Sequence, residues 1–177
     1  MKRWFFIVAA LSGLCWQASA QTTSDAIQSA HLFKEMSIAD AGAAGRWVIW
    51  TDGTAPDTTV TLALVSPDKQ AVWSEKWASA YTPTLRPLPE WQHANSAMLA
   101  VTMQFGAMAE EVSLFGLTAG KPVKLTSVLA KAVSWMISRE GDLLLVLYNT
   151  TKTAHLRPNC YKWDDSLEKL IPRTCSW

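Results

Sequence analysis

The chain reads as an all-β protein of three repeated antiparallel hairpin units, an incomplete or three-bladed β-propeller-like fold with a β-sandwich as the alternative. Three observations predict this. Short apolar runs of strand composition recur at Trp47-Val48-Ile49-Trp50, Met98-Leu99-Ala100-Val101 and Leu143-Leu144-Leu145-Val146-Leu147-Tyr148. Landmarks within them stand 52 and 45 residues apart (Ile49 to Val101, then Val101 to Val146), a period typical of propeller blades. Each run is also followed by the same succession: a polar or small-residue gap, a second strand, a tight turn and a closing strand.

The elements follow in order. In the first unit the gap is Asp52 to Thr58, the second strand Thr59 to Leu64, and the turn Ser66-Pro67-Asp68-Lys69. Pro67 presets φ at the first central position of that turn, and Ala71-Val72-Trp73 closes the unit. In the central unit the gap is Gln104 to Glu110 and the second strand Val112 to Leu117. Gly120 then supplies a positive φ within Thr118 to Lys121. The closing strand Pro122 to Leu125 carries its proline at the first position, where no ladder donor is needed. In the third unit the gap runs Asn149 to Pro158 and the strand Cys160 to Trp163. Asp164-Asp165-Ser166 can bond its own backbone in a turn, and Leu167 to Ile171 closes the unit.

A fourth strand per unit is proposed upstream: Val133 to Ile137 before the Arg139-Glu140-Gly141-Asp142 turn, Leu88 to His93, and Leu32 to Ile38. The spacing of Val128, Leu129, Ala132, Val133 and Met136 also fits a helix, so 126–137 stays open between helix and strand, as does 24–36. Thr82 to Trp91, with Pro83, Pro87 and Pro89, reads as an irregular connection. Ten tryptophans are present, and Trp47, Trp50, Trp73, Trp135 and Trp163 fall on expected strands, where aromatics serve packing.

Composition excludes several classes. With 49% hydrophobic and 18% charged residues, the chain has ample apolar surface to offset its ordering entropy and is not disordered. Sixteen basic residues balance 15 acidic ones without any basic run, so nucleic acid is not an expected partner. Met1-Lys2-Arg3, the apolar Trp4 to Leu14 and Ala18-Ser19-Ala20 form the three parts of a secretory signal, cleaved before Gln21. The expected organisation is a signal peptide at 1–20 and one β-rich domain at 21–177. No later stretch is long enough to span a bilayer, and the short signal without further sorting motifs points to a bacterial periplasm. Leu14 before Cys15 makes a poorly shaped lipidation site. The two cysteines left after cleavage, Cys160 and Cys175, are expected to form a disulfide.

Chemistry is sparse. His31, His93 and His155 are scattered, and no metal-ligand or nucleophile motif is present. No catalytic residue, metal site or cofactor is expected. Asp52, Asp57 and Glu110-Glu111 are the acids that could pair across a cleft, although loop carboxylates are ordinarily just solvated. One segment stands out: Gly106, Ala107, Met108, Ala109, Glu110 and Glu111, between two strands of the central unit. The plain reading is a tight connection whose small residues permit the bend, with Met108 folded into the core. The functional reading is a protruding partner-binding loop, Met108 adapting to an irregular pocket and the acids forming a charged rim.

The signal at 1–20, three β units across 32–171 and a loop at 105–111 in the central one resemble a class of exported immunity proteins. These protect bacteria from peptidoglycan-cleaving amidase effectors of type VI secretion, and some are all-β and propeller-like. The resemblance implies a non-catalytic inhibitor whose partner is another protein, a peptidoglycan amidase effector, with the central loop plugging the effector's active site. Here Ala107, Met108 and Ala109 occupy the tip in place of small hydroxyl residues suited to a catalytic Cys–His pair. The alternative is an envelope binding or scaffold module that holds glycan or a partner subunit through Trp-rich faces. Exposure of Trp77 and Trp91 would favour it.

Overall fold

The computed structural model describes residues 37–52, 59–78, 83–105, 109–150 and 156–176. The expected signal peptide, the ambiguous segment 24–36 and Gly106, Ala107 and Met108 lie outside them. Twelve strands form three antiparallel four-stranded sheets, each a meander in chain order. The first holds β1 (Ser37–Asp40), β2 (Arg46–Asp52), β3 (Thr59–Val65) and β4 (Ala71–Ala78). The second holds β5 (Thr84–His93), β6 (Ser96–Phe105), β7 (Ala109–Thr118) and β8 (Lys121–Ala130). The third holds β9 (Ala132–Ile137), β10 (Leu143–Thr150), β11 (Leu156–Asp164) and β12 (Lys169–Arg173). The protein is therefore all-β, built from three hairpin-rich units and not from a closed barrel.

The three apolar runs become the interior strands β2, β6 and β10. They are continuous rather than alternating because both of their faces are buried. In β6, Leu99, Val101 and Met103 join Trp47, Ile49, Leu62, Leu64, Phe115 and Leu117 in a core between the first and second sheets. Their neighbours Met98 and Ala100 point the other way. They join Leu88, Val112, Leu114, Leu143, Leu145, Leu147 and Trp163 in a core between the second and third sheets. The middle sheet is thus shared. The far face of the first sheet buries Val48, Trp50, Ala63 and Val65, and that of the third buries Leu144, Val146 and Cys160.

Tryptophans fasten the second and third sheets in both directions. Trp91 on β5 donates its indole N–H to the Leu143 carbonyl at 3.1 Å, and Trp163 on β11 donates to the Gln92 carbonyl at 2.9 Å. Both carbonyls lie where ladders are irregular. Leu143 precedes the first pairing of β10 with β11 at Leu145, and Gln92 follows the register shift in β5. In the first core, Phe115 is ringed by Trp47, Trp73 and Trp77 with centroids 5.9 to 6.4 Å away.

The turns follow their chemistry. Lys69 N–H bonds the Ser66 carbonyl at 2.9 Å, closing the turn that holds Pro67. Ala119 and Gly120 both have positive φ (50° and 74°), the two-residue turn that matches strand twist. The Asp164 carboxylate accepts from the Ser166 hydroxyl and the Leu167 amide at 2.6 and 3.1 Å. Cys160 and Cys175 stand at disulfide distance, with Cα atoms 5.4 Å apart.

Three expectations are corrected and one open choice is resolved. The segment 126–137, left open between helix and strand, is strand on either side of a bend at Lys131: Val128 pairs with Val112 and Val133 with Leu147, despite its helical spacing. Thr84 to Trp91 is not an irregular connection but most of β5. This is an edge strand, whose unpaired side accommodates Pro87 and Pro89. The gaps in the second and third units are narrower than expected, since β7 begins at Ala109 and β11 at Leu156. The last strand starts at Lys169 rather than Leu167, because the turn extends to Glu168 with φ 48°.

Candidate functional site

The central-unit loop is built on a long hairpin. Strands β6 and β7 pair up to Phe105 opposite Ala109, so Ala109, Glu110 and Glu111 are strand residues, while Gly106, Ala107 and Met108 lie outside the described residues. Alternation along β7 sends its two acids to opposite faces of the middle sheet. Glu110, like Val112 and Leu114, faces the third sheet, where its Oε2 accepts the Val133 backbone N–H at 2.7 Å. Glu111 shares the other face with Ser113 and accepts from the Ser127 hydroxyl. The Ser113 hydroxyl completes this cluster, 3.4 Å from Glu111 Oε1 and 3.2 Å from Ser127 Oγ. Both carboxylates are therefore held by bonds within the protein. On the Glu111 face stand two exposed apolar side chains, Phe105 at 45% and Leu129 at 63%, with Leu129 directly opposite Glu111.

A cleft of about 380 Å³ opens between the second and third sheets on the Glu110 side, lined by Thr84, Leu85, Arg86, Thr102, Glu110, Val133 and Trp135. Its origin is visible strand by strand. On the face toward the third sheet, β5 reads Leu88, Arg86, Thr84 and β6 reads Met98, Ala100, Thr102 as each approaches this end. On β7 the same change runs from Leu114 and Val112 to Glu110. The buried apolar layer thus gives way to polar groups. On the opposite face of β6, Leu99, Val101 and Met103 stay apolar and buried. Arg86 lies over the Trp135 ring at 5.3 Å, and Trp91 meets Trp135 edge-on at a centroid distance of 5.3 Å.

The remaining candidates are dispersed. Asp52 accepts the Trp50 indole N–H at 3.0 Å and shares the face of Val48 and Trp50, turned away from the second sheet. It is therefore not brought to Glu110 or Glu111, and Asp57, His31 and His155 lie outside the described residues. His93 is buried, with Nε2 3.0 Å from Thr118 Oγ1 and Nδ1 3.7 Å from Glu168 Oε1. Gly116 leaves it room: a Cβ there would come within 2.8 Å of the imidazole. Trp91 is buried at 2% exposure. Trp77 packs half-buried on Phe115, with the Lys124 ammonium over its ring at 6.0 Å.

Among the described residues no helix is long and apolar enough to cross a membrane. The residues that sequence reasoning missed are Thr84 and Arg86, hidden because the start of β5 was read as a connection, and Thr102, which lies on β6 just past the expected apolar run. Trp135 was read only as core. Their signal is the apolar-to-polar change on one face of three adjacent strands, legible only once the strands are paired. A comparison of the chain with protein-family models, curated proteins and solved structures finds no match.

Proposed function

We propose that the protein is an exported, non-catalytic inhibitor: an immunity protein that binds and occludes a peptidoglycan-cleaving amidase effector in the bacterial periplasm. The observation that carries this reading is the far end of the β6–β7 hairpin. There the exposed Phe105 and Leu129 share the face of Glu111, whose carboxylate is tied down by Ser113 and Ser127, while Glu110 is tied to Val133 on the other face. Exposed apolar side chains next to oriented polar groups suit a protein partner, and prior ordering of the acids lowers the cost of association. The cysteine pair at disulfide distance fits an oxidising compartment.

The alternative, a module that holds glycan through Trp-rich faces, is less well supported. Trp91 is buried and Trp77 is covered by Phe115 and Lys124, so neither offers the open ring a sugar needs. The test is to export a peptidoglycan amidase effector into the periplasm of a sensitive bacterium with and without this protein, and to assay the purified pair. Restored growth and stoichiometric inhibition are expected. Met108→Arg should weaken inhibition by at least about 2 kcal/mol, the scale of an interface hot spot, with an unchanged melting temperature. Absence of both rescue and complex formation across a panel of amidase effectors refutes the reading.

A further inference from the structure

We infer that the cleft between the second and third sheets binds the free carboxylate of a short peptide, with Arg86 as the group that recognises it. This inference stands apart from the inhibitor reading, because it concerns a small-molecule site and needs no amidase.

The argument begins with Arg86. Its guanidinium lies over the Trp135 ring at 5.3 Å. Trp135 is braced edge-on by Trp91, whose own indole N–H is bonded to the Leu143 carbonyl. The ring holds the guanidinium by its charge and occupies none of its N–H donors, whose planar fork suits bidentate contact with a carboxylate. Among the described residues Arg86 has no acidic partner: the ion pairs there are His93–Glu168, Lys124–Glu75 and Lys162–Asp142. Glu110, the acid of the same cleft, directs Oε2 to the Val133 amide.

The other lining groups narrow the ligand. Thr84 and Thr102 are directly opposed in the β5–β6 register, which sets two hydroxyls side by side as donors or acceptors for an amide. Glu110 repels a polyanion such as a nucleoside phosphate but accepts from an amide N–H or an ammonium. A carboxylate at Arg86 with N–H groups toward Glu110 is the pattern of a peptide C-terminus. The volume of about 380 Å³ lies at the small end of ligand clefts and limits the occupant to about a dipeptide. The same chemistry is offered by cell-wall stem peptides, which end in D-residues, and by protein breakdown products, which end in L-residues.

The experiment titrates the oxidised, signal-free protein with D-alanyl-D-alanine and, separately, L-alanyl-L-alanine. The indole N–H resonances are followed by NMR, and each dipeptide amide serves as control. Saturable movement of the Trp135 resonance is expected with at least one free acid, and the stronger of the two identifies the source. The matching amide should bind at least tenfold more weakly. Arg86→Gln should lose at least tenfold and Arg86→Lys less, each with the wild-type melting temperature, since Arg86 is exposed. Three outcomes overturn the inference: no saturation by either acid, equal binding of acid and amide, or Arg86→Gln binding as wild type. If the peptide binds while amidase effectors are not inhibited, the cleft stands and the inhibitor reading falls. The reverse result separates them the other way.

Discussion

Replacing Trp91 or Trp163 by phenylalanine tests how the second and third sheets are held together. Each substitution keeps an aromatic ring in the shared core but removes the N–H that reaches a carbonyl of the facing sheet, at 3.1 Å for Leu143 and 2.9 Å for Gln92. Both tryptophans are almost completely buried, at 2% and 4% exposure. The Leu143 carbonyl is buried with its donor, so water cannot readily replace it, whereas Gln92 is an exposed residue and its carbonyl can regain part of the bond from water. An orphaned buried acceptor costs about 1–3 kcal/mol, and the smaller ring leaves a void that adds to this. We expect Trp91→Phe to lose about 2–3 kcal/mol, which for a protein of this size lowers the melting temperature by roughly 5–10 °C, and Trp163→Phe to lose about 1–2 kcal/mol. Urea unfolding followed by far-UV dichroism measures the loss, and an unchanged m-value shows that the comparison is like for like. The two residues share one core, so the double variant should depart from additivity. Losses within about 0.5 kcal/mol for both single variants, the range of ordinary surface substitutions, would refute the reasoning. The sheets would then be held by apolar contact alone.

Two further outcomes concern the C-terminal unit. Cys160 and Cys175 are 15 residues apart in sequence, and closing a loop of that length stabilises by about 3 kcal/mol in the chain-entropy model. Protein reduced while unfolded and refolded under reductant should therefore melt well below the oxidised form, and a Cys160→Ala, Cys175→Ala variant should match the reduced form. Identical melting of the oxidised and reduced wild type would show that no bridge forms. Asp164 offers a pH test. The Ser166 hydroxyl bond, followed by the Leu167 amide bond, holds its carboxyl below the usual 3.8. Its stabilisation of the β11–β12 turn is complete above that value and is lost as pH falls through the lowered one. Asp164→Asn should thus be less stable than wild type at neutral pH, with the difference closing as the solution is acidified below 3.8; a difference independent of pH would contradict this.

What could be read in the sequence was whatever depends on neighbours along the chain. Trp47 to Trp50, Met98 to Val101 and Leu143 to Tyr148 announce interior strands because burial on two faces demands continuous apolar residues. Pro67, Gly120 and Asp164 announce turns because their local chemistry is the same in any context. The prolines of β5 misled because their compatibility with a strand depends on its lying at a sheet edge, a tertiary fact. Helical spacing from Val128 to Met136 left that segment undecided for the same reason, since only pairing with Val112 and Leu147 selects strand. The cleft was hidden because Arg86, Thr102, Glu110 and Trp135 come from four strands, and no spacing along the chain relates them. Of the expected loop, Glu110 and Glu111 proved to be strand residues on opposite faces, since their adjacency in sequence is what separates them in a sheet.

That period-two alternation has a larger consequence in the middle sheet. Leu99 belongs to one core and Ala100, the next residue, to the other, and among the described residues no core cluster joins the first sheet to the third. The three units are thus coupled in series, as in a short linear array where each member responds only to its neighbours. Damage to Leu99 is felt first by the N-terminal unit and damage to Ala100 by the C-terminal one, although a single peptide bond separates them. The middle sheet is the one member neither end can do without. An insertion of one residue in β6 would exchange the allegiance of every side chain beyond it, and so would disrupt both halves of the molecule at once.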